Sequence, residues 1–242
     1  MKTIKRINLW SGPRNISTAL MYSFAQRNDT QVVDEPLYAH YLKTTGLNHP
    51  GKEEVMQSQD SDGSKVIDEI ILGDCNKPVL FCKQMTHHLV NLDFDFLSKT
   101  CNILLIRDPK QVLISYAKVI EQPDLSDIGI KQSYELFQFL QEKKYHCLVI
   151  DSNEVLKNPE KILTAVCENI GIEFQSAMLQ WRAGARREDG VWAKYWYKNV
   201  HQSTGFAPFE KEDQELPGRL QSIYEEAKPC YDFLYERALK VD

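Results

Sequence analysis

The stretch NLWSGPRNISTAL, residues 8–20, decides how the rest of the chain is read. An apolar run, residues 7–10, ends at Trp10. Ser11, Gly12 and Pro13 supply a turn, and residues 17–27 then carry a helical pattern. A strand, a tight loop and a helix in that order aim backbone N–H groups and the positive end of a helix at one point. Such a point binds phosphate or sulfate. Arg14 adds a bidentate cation, and Ser17 and Thr18 add hydroxyl donors. The stretch is not a Walker A loop. Aligned on Gly12, Ser17 falls where the second glycine belongs and Thr18 where the lysine belongs, which disfavours an ATPase or an ordinary nucleotide kinase. The same residues also read as a plain helix start, with Asn15 or Ser17 as cap and Arg14 exposed.

Further along the chain, residues 79–82, 103–106 and 147–150 form continuous apolar runs, with a shorter one at 31–33. Continuous runs suit strands covered on both faces. Helical patterns fall between them at 64–72, 110–120, 128–144 and 159–170, and a last one at 219–240 is interrupted near Pro229. The 159–170 helix is framed by Asn158 as cap, Pro159 in the first turn and Gly171 at the end. This alternation predicts an α/β fold with a mainly parallel central sheet flanked by helices, built as one domain over residues 1–242. Two polar segments rich in glycine and proline, 44–64 and 199–218, stand outside the alternation as candidate substrate loops or lids.

Composition narrows the function. The chain has 242 residues and a formal charge of −5, so a general grip on nucleic acid, which needs a dense cationic face, is not expected. No apolar stretch approaches a membrane span. The start MKTIKRINLW has no apolar core of a secretion signal. The 6 cysteines include no CxxC pair, and Cys82, Cys101, Cys147 and Cys167 sit among apolar residues as buried thiols. A reduced, cytoplasmic protein without a metal centre is expected. The oligomeric state is not encoded in any readable pattern.

Two further stretches give the loop a context. ILLIRDPKQVLISYAK, residues 103–118, delivers Arg107 to the carboxyl end of a buried strand, where ligands gather in open α/β sheets, with Ser115 eight residues on. DSNEVLKNPEKILTAVCENIGIEF, residues 151–174, is a strand end, an acidic-Leu turn and a capped helix.

These three stretches, in this order, resemble the sulfotransferase family. PRNISTAL (13–20) is similar to its 5′-phosphosulfate loop, with Arg14 at the basic position, Asn15 at the first hydroxyl position and Ser17 and Thr18 at the last two. Ile16 stands where the family usually has glycine, so its side chain must point away from the anion. Arg107 and Ser115 resemble the pair that grips the 3′-phosphate. The resemblance implies a P-loop-like sulfotransferase architecture. It also implies a co-substrate, 3′-phosphoadenosine 5′-phosphosulfate, with product 3′,5′-adenosine bisphosphate, and transfer to a hydroxyl or amine of a small molecule or sugar. Gly12, Pro13, Arg14, Asn15, Ile16, Ser17, Thr18, Arg107 and Ser115 would line the donor site.

The late segment, residues 181–206, interleaves Arg182, Arg186, Arg187, Lys194 and Lys198 with aromatics. Trp192 or Trp196 would there stack on the adenine. The family's base has two matches here. One is Glu35, before Pro36, which also reads as a helix cap. The other is His88 or His87, near Lys83 in FCKQMTHHL (81–89); histidine suits proton transfer near neutral pH. Two other functions fit the same residues: a metabolite kinase, or a non-catalytic nucleotide-binding module related to the family.

Overall fold

The structure is a computed structural model that describes residues 4–117, 123–210 and 214–241. Its centre is β1 (Lys5–Ser11), which pairs in parallel with strands on both sides. Helix α1 (Ser17–Ala25) leads to β2 (Thr30–Asp34), and α2 (Tyr38–Thr45), α3 (Lys52–Ser58) and α4 (Gly63–Val66) lead to β3 (Val79–Met85). Then come β4 (Cys101–Ile106), α5 (Pro109–Tyr116), α6 (Leu125–Ile128), α7 (Ile130–Glu142) and β5 (Cys147–Asp151). The chain closes with α8 (Ser152–Lys157), α9 (Pro159–Ile170), α10 (Ala193–Trp196), α11 (Lys198–His201) and α12 (Gln221–Tyr235). The described residues thus form a 5-stranded parallel sheet in the order β2-β3-β1-β4-β5, flanked by helices as expected.

The continuous apolar strands feed two cores at once. Trp10, Leu80, Cys82, Leu104 and Ile106 enter one core, while their alternating neighbours Ile7, Leu9, Phe81, Ile103 and Leu105 enter the other. Successive side chains on a strand face opposite ways, so a strand buried on both faces reads as apolar throughout.

The strand order also fixes where a ligand goes. From β1 the chain moves to one edge of the sheet, and from β3 it crosses β1 to reach β4. The carboxyl ends of β1 and β4 therefore flank the switch point, where the connections part and leave a crevice. The 12–16 loop and Arg107 both leave the sheet there.

Several expected boundaries shift. The 44–64 segment is not a plain loop, because α3 folds inside it. The 64–72 pattern starts as α4 and widens into a π-turn at Ile67–Ile71, where Leu72 N–H bonds Ile67 O at 2.8 Å. That widening turns Ile70 outward to 42% exposure, although its spacing had placed it with the buried face. The 128–144 helix is broken by Gly129, whose φ of 72° separates α6 from α7. Helix α5 ends at Tyr116, and positions 118–120 of the expected 110–120 helix lie outside the described residues. Pro229 lies within α12. All 6 cysteines are free, but Cys101 and Cys147, as the first residues of β4 and β5, are only partly buried.

Gly12 is needed for a close approach: a Cβ there would stand 2.4 Å from Ile128 O, with the Gly129 backbone behind it. Neither neighbour is a flexible side chain that could yield. Gly12→Ala is expected to lower the unfolding free energy by about 1–3 kcal/mol, the usual range for overpacking, as read from urea unfolding. An unchanged midpoint would contradict this packing.

Candidate functional site

The loop between β1 and α1 is held in an unusual shape. Arg14 has φ 55°, in the left-handed region that non-glycine residues rarely occupy. Its carbonyl accepts a hydrogen bond from the Arg107 guanidinium at 2.7 Å. Arg107 also donates Nε–H to Gln111 Oε1 at 3.1 Å. Asn15 braces the loop from within, donating through Nδ2 to Leu105 O at 3.1 Å and accepting Ile16 N–H at 2.9 Å. Neither Asn15 nor Ser17 caps α1. The cap position is Ile16, with no side-chain cap bond, and the first turn carries no acidic residue. The partly buried Ile16 side chain, at the place of the missing glycine, packs against the core that α1 shares with the sheet. Ser17 is buried and Thr18 half-buried in the first turn of α1.

The second motif meets the first. Asp108 caps α5 by accepting Lys110 N–H at 2.8 Å, with Pro109 in the first turn. This fixes the exit of β4 and aims Arg107 back at the loop. Arg14 Nε–H donates to Ser115 Oγ at 3.0 Å. Arg14, Arg107 and Ser115, separated by up to 101 positions, thus occupy one place.

Beside them lies a buried charge cluster. Asp34 stands opposite Lys83 in the β2–β3 register. The Lys83 ammonium donates to Asp34 Oδ1 at 3.0 Å, to Glu35 Oε1 at 2.5 Å and to Tyr197 Oη at 2.7 Å. Glu35, like Arg14, has a positive φ, 40°. It is no helix cap: α2 begins only at Tyr38, and the carboxylate turns to Lys83. Positive-φ backbone at a non-glycine residue is found most often at functional sites.

Burial pushes the Glu35 carboxyl above the usual range, Lys83 pulls it back and Asp34 pushes it up again. For Lys83, burial opposes the charge, but Asp34 and Glu35 outweigh it and hold the ammonium charged. His88 Nε2 lies 4.0 Å from Glu35 Oε2, and its ring is stacked against both Tyr38 and Tyr41. Burial, with His87 and Lys83 nearby, drives its pKa well below normal. Burial lowers that of His87 to about 3. Both imidazoles are neutral, and neither Nδ1 has a hydrogen-bond partner among the described residues.

The late segment packs over this cluster and buries the first of its two candidate indoles, Trp192. Trp192 is 2% exposed, donates Nε1–H to Tyr197 Oη at 3.2 Å and meets the Tyr38 ring edge-on. It belongs to a third core with Tyr38, Leu42 and Val55, against which the partly buried Trp196 also packs. Trp192 therefore has no face left for an adenine. Lys194 pairs with Glu54 of α3, Arg187 pairs with Glu188, and the Arg186 guanidinium lies over the Tyr22 ring. Arg182 lines an open groove with Trp181 and Phe206 that shares no residue with the site.

Sequence reasoning missed Asp34, Tyr197 and Gln59. Gln59 bridges Glu35 O and Ala39 N–H. A signal existed for Asp34, a charged residue ending an apolar strand next to Glu35. None marked Tyr197 or Gln59, which arrive from distant turns. Among the described residues, no three His, Cys, Asp or Glu side chains are placed to share a metal ion, and no helix is long and apolar enough to cross a membrane.

The sheet order brings the strained loop, Arg14 and Arg107 together at the switch point of an α/β sheet. A sulfotransferase-domain model matches residues 5–238, and the chain belongs to the sulfotransferase family. Its fold is that of the sulfotransferase domain from the curacin biosynthetic pathway (TM-score 0.58, 16% identity, covering 94% of this chain and 99% of that one). It is also that of mouse sulfotransferase SULT7A1 complexed with PAP (TM-score 0.53, 12% identity, covering 96% and 89%). Among curated proteins it is similar to branched-chain-amino-acid aminotransferase-like proteins 1 and 2 of Arabidopsis thaliana, at 40% and 38% identity over 229 residues. That match covers 94% of this chain but 41% of each relative, so the chain spans about two fifths of their length.

The neutral histidines carry a test. Burial lowers the His87 imidazole from its usual value of 6.5 to about 3, and it drives His88 well below the same value. Between those values the unfolded chain binds more protons, so these groups withdraw stability as pH falls through that window. His88→Phe, which keeps the stacking, is expected to lose less stability than wild type between pH 7 and pH 5 in urea unfolding. Parallel losses would contradict a buried neutral His88.

Proposed function

We propose that the protein moves a sulfuryl group from 3′-phosphoadenosine 5′-phosphosulfate to a hydroxyl or amine of a small-molecule acceptor. The observation that carries this reading is the convergence of Arg14, Ser115 and Arg107 at the carboxyl ends of β1 and β4. The residues present suit that donor. Helix α1 opens without a carboxylate, and the nearby side chains are two guanidiniums and a hydroxyl. That set matches a ligand with phosphates at both ends.

When bound, the donor supplies a sulfuryl group whose bond to the 5′-phosphate breaks as a bond to the acceptor oxygen or nitrogen forms. Arg14 and the N–H groups at the start of α1 stabilise negative charge on the 5′ side, in place before reaction. Arg107 and Ser115 hold the 3′-phosphate and set the register. Glu35 takes the acceptor proton. Of the two base candidates it is the stronger, because its pKa is raised while that of His88 is depressed. The stacked His88, facing Glu35 Oε2, is left to shape the acceptor side.

Calorimetric titration with 3′,5′-adenosine bisphosphate tests the donor site. Binding is expected in the wild type, with a loss of about 1.5–3 kcal/mol in Arg107→Ala, the usual cost of a charged hydrogen-bonding partner. AMP is expected to bind more weakly. Equal affinity for AMP would remove the 3′-phosphate grip from the account.

A further inference from the structure

The buried cluster holds one cation between two carboxylates, and the carboxylates are not equivalent. The Asp34 side chain is 1% exposed and that of Glu35 is 10% exposed. Asp34 is closed in by donors: Lys83 Nζ and Tyr197 Oη at Oδ1, and Tyr197 Oη at 2.7 Å and Gly190 N–H at 3.1 Å at Oδ2. The Tyr197 hydroxyl is itself fully used, since it donates to Asp34 and accepts from Lys83 and Trp192. Glu35 keeps Oε2 free of Lys83, facing the His88 ring.

A carboxylate paired alone with a buried ammonium is held strongly ionised and makes a poor base. A second carboxylate on the same ammonium divides that pull.

We infer that Asp34 is a positioning residue that takes a share of the Lys83 ammonium and so leaves Glu35 basic enough to accept a proton. The Tyr197 hydroxyl and the Gly190 N–H, both from the late segment, hold Asp34 in that role. This rests on the reading of Glu35 as the base. The charged and titratable groups facing Glu35 are Asp34 at the end of β2, Lys83 from β3, His88 beyond β3, Tyr38 from α2 and Tyr197 from the late segment. Of these, Asp34 is the one that adds negative charge at neutral pH. The late segment is thereby joined to the chemistry as well as to the packing. A cluster that served only to bolt that segment onto β2 would need the hydrogen bonds of Asp34 but not its charge.

The test reads ionisation directly and needs no acceptor. The full chain is labelled with ¹³C at the Asp and Glu side-chain carboxyls, and Glu35→Gln assigns the Glu35 resonance. In Asp34→Asn, which keeps the shape and most of the hydrogen bonds, the Glu35 midpoint is expected to fall by about one pH unit, the scale of a close like charge. Tyr197→Phe removes the bolt without removing the charge, and its Glu35 midpoint is expected to stay well above that of Asp34→Asn.

The wild type supplies a readout that needs no substitution at Asp34: its Asp34 resonance must show an inflection at the Glu35 midpoint. An unmoved Glu35 midpoint in a folded Asp34→Asn, or no inflection in the wild type, overturns the inference. Titration of the same samples with 3′,5′-adenosine bisphosphate separates the two readings. Intact binding with an unmoved midpoint defeats only the role of Asp34. Absent binding in the wild type defeats the donor reading and leaves the carboxylate result standing.

Discussion

The contact on which the site depends is the bond from the Arg107 guanidinium to the carbonyl of Arg14, 93 positions earlier in the chain. Arg14 occupies a backbone region that costs of order 1–3 kcal/mol for such residues, and it persists there only if its surroundings over-determine it. Arg107 supplies part of that constraint, Asn15 a second part through Leu105 O, and Gly12 against Ile128 a third. The first two act between the ends of β1 and β4, and the third sets the loop against the end of α6. The parallel pairing of those strands sets the loop, and the loop sets where an anion is received.

The same economy governs the neighbouring carboxylates. Burying a charge is costly unless it is paired and hydrogen-bonded. Asp34, Glu35 and Lys83 meet that demand together, and Tyr197 and Gly190 complete it from the far end of the chain. The late segment is fastened a second time by Asp189, which accepts from Tyr22 of α1 and lies 2.9 Å from His201 Nε2. Two buried carboxylates thus tie the late segment to β2 and to α1.

What could be read from the sequence follows from what each pattern encodes. Strands buried on both faces announce themselves as apolar runs, so β1, β3, β4 and β5 were legible. The α9 helix was legible to its ends because Asn158, Pro159 and Gly171 are local signals. The loop motif and the Arg107–Ser115 spacing were legible because both are short-range. The cluster around Lys83 was only half legible. Its members come from β2, β3 and the late segment, and their meeting depends on the sheet order and not on spacing. Trp192 misled for a related reason. An indole among basic residues reads as a surface platform, whereas three-dimensional packing makes it the centre of a third core. The π-turn at Ile67–Ile71 was invisible, since one extra residue per turn leaves the apolar pattern almost unchanged.

The match covers about two fifths of longer plant proteins. The most direct judgement is a crystal structure with 3′,5′-adenosine bisphosphate bound. The account predicts the 5′-phosphate against the backbone at the start of α1, the 3′-phosphate between Arg107 and Ser115, and the Arg14–Ser115 bond exchanged for bonds to the ligand. A nucleotide lodged in the groove beside Trp181 and Phe206, with Arg14 still on Ser115, would contradict it.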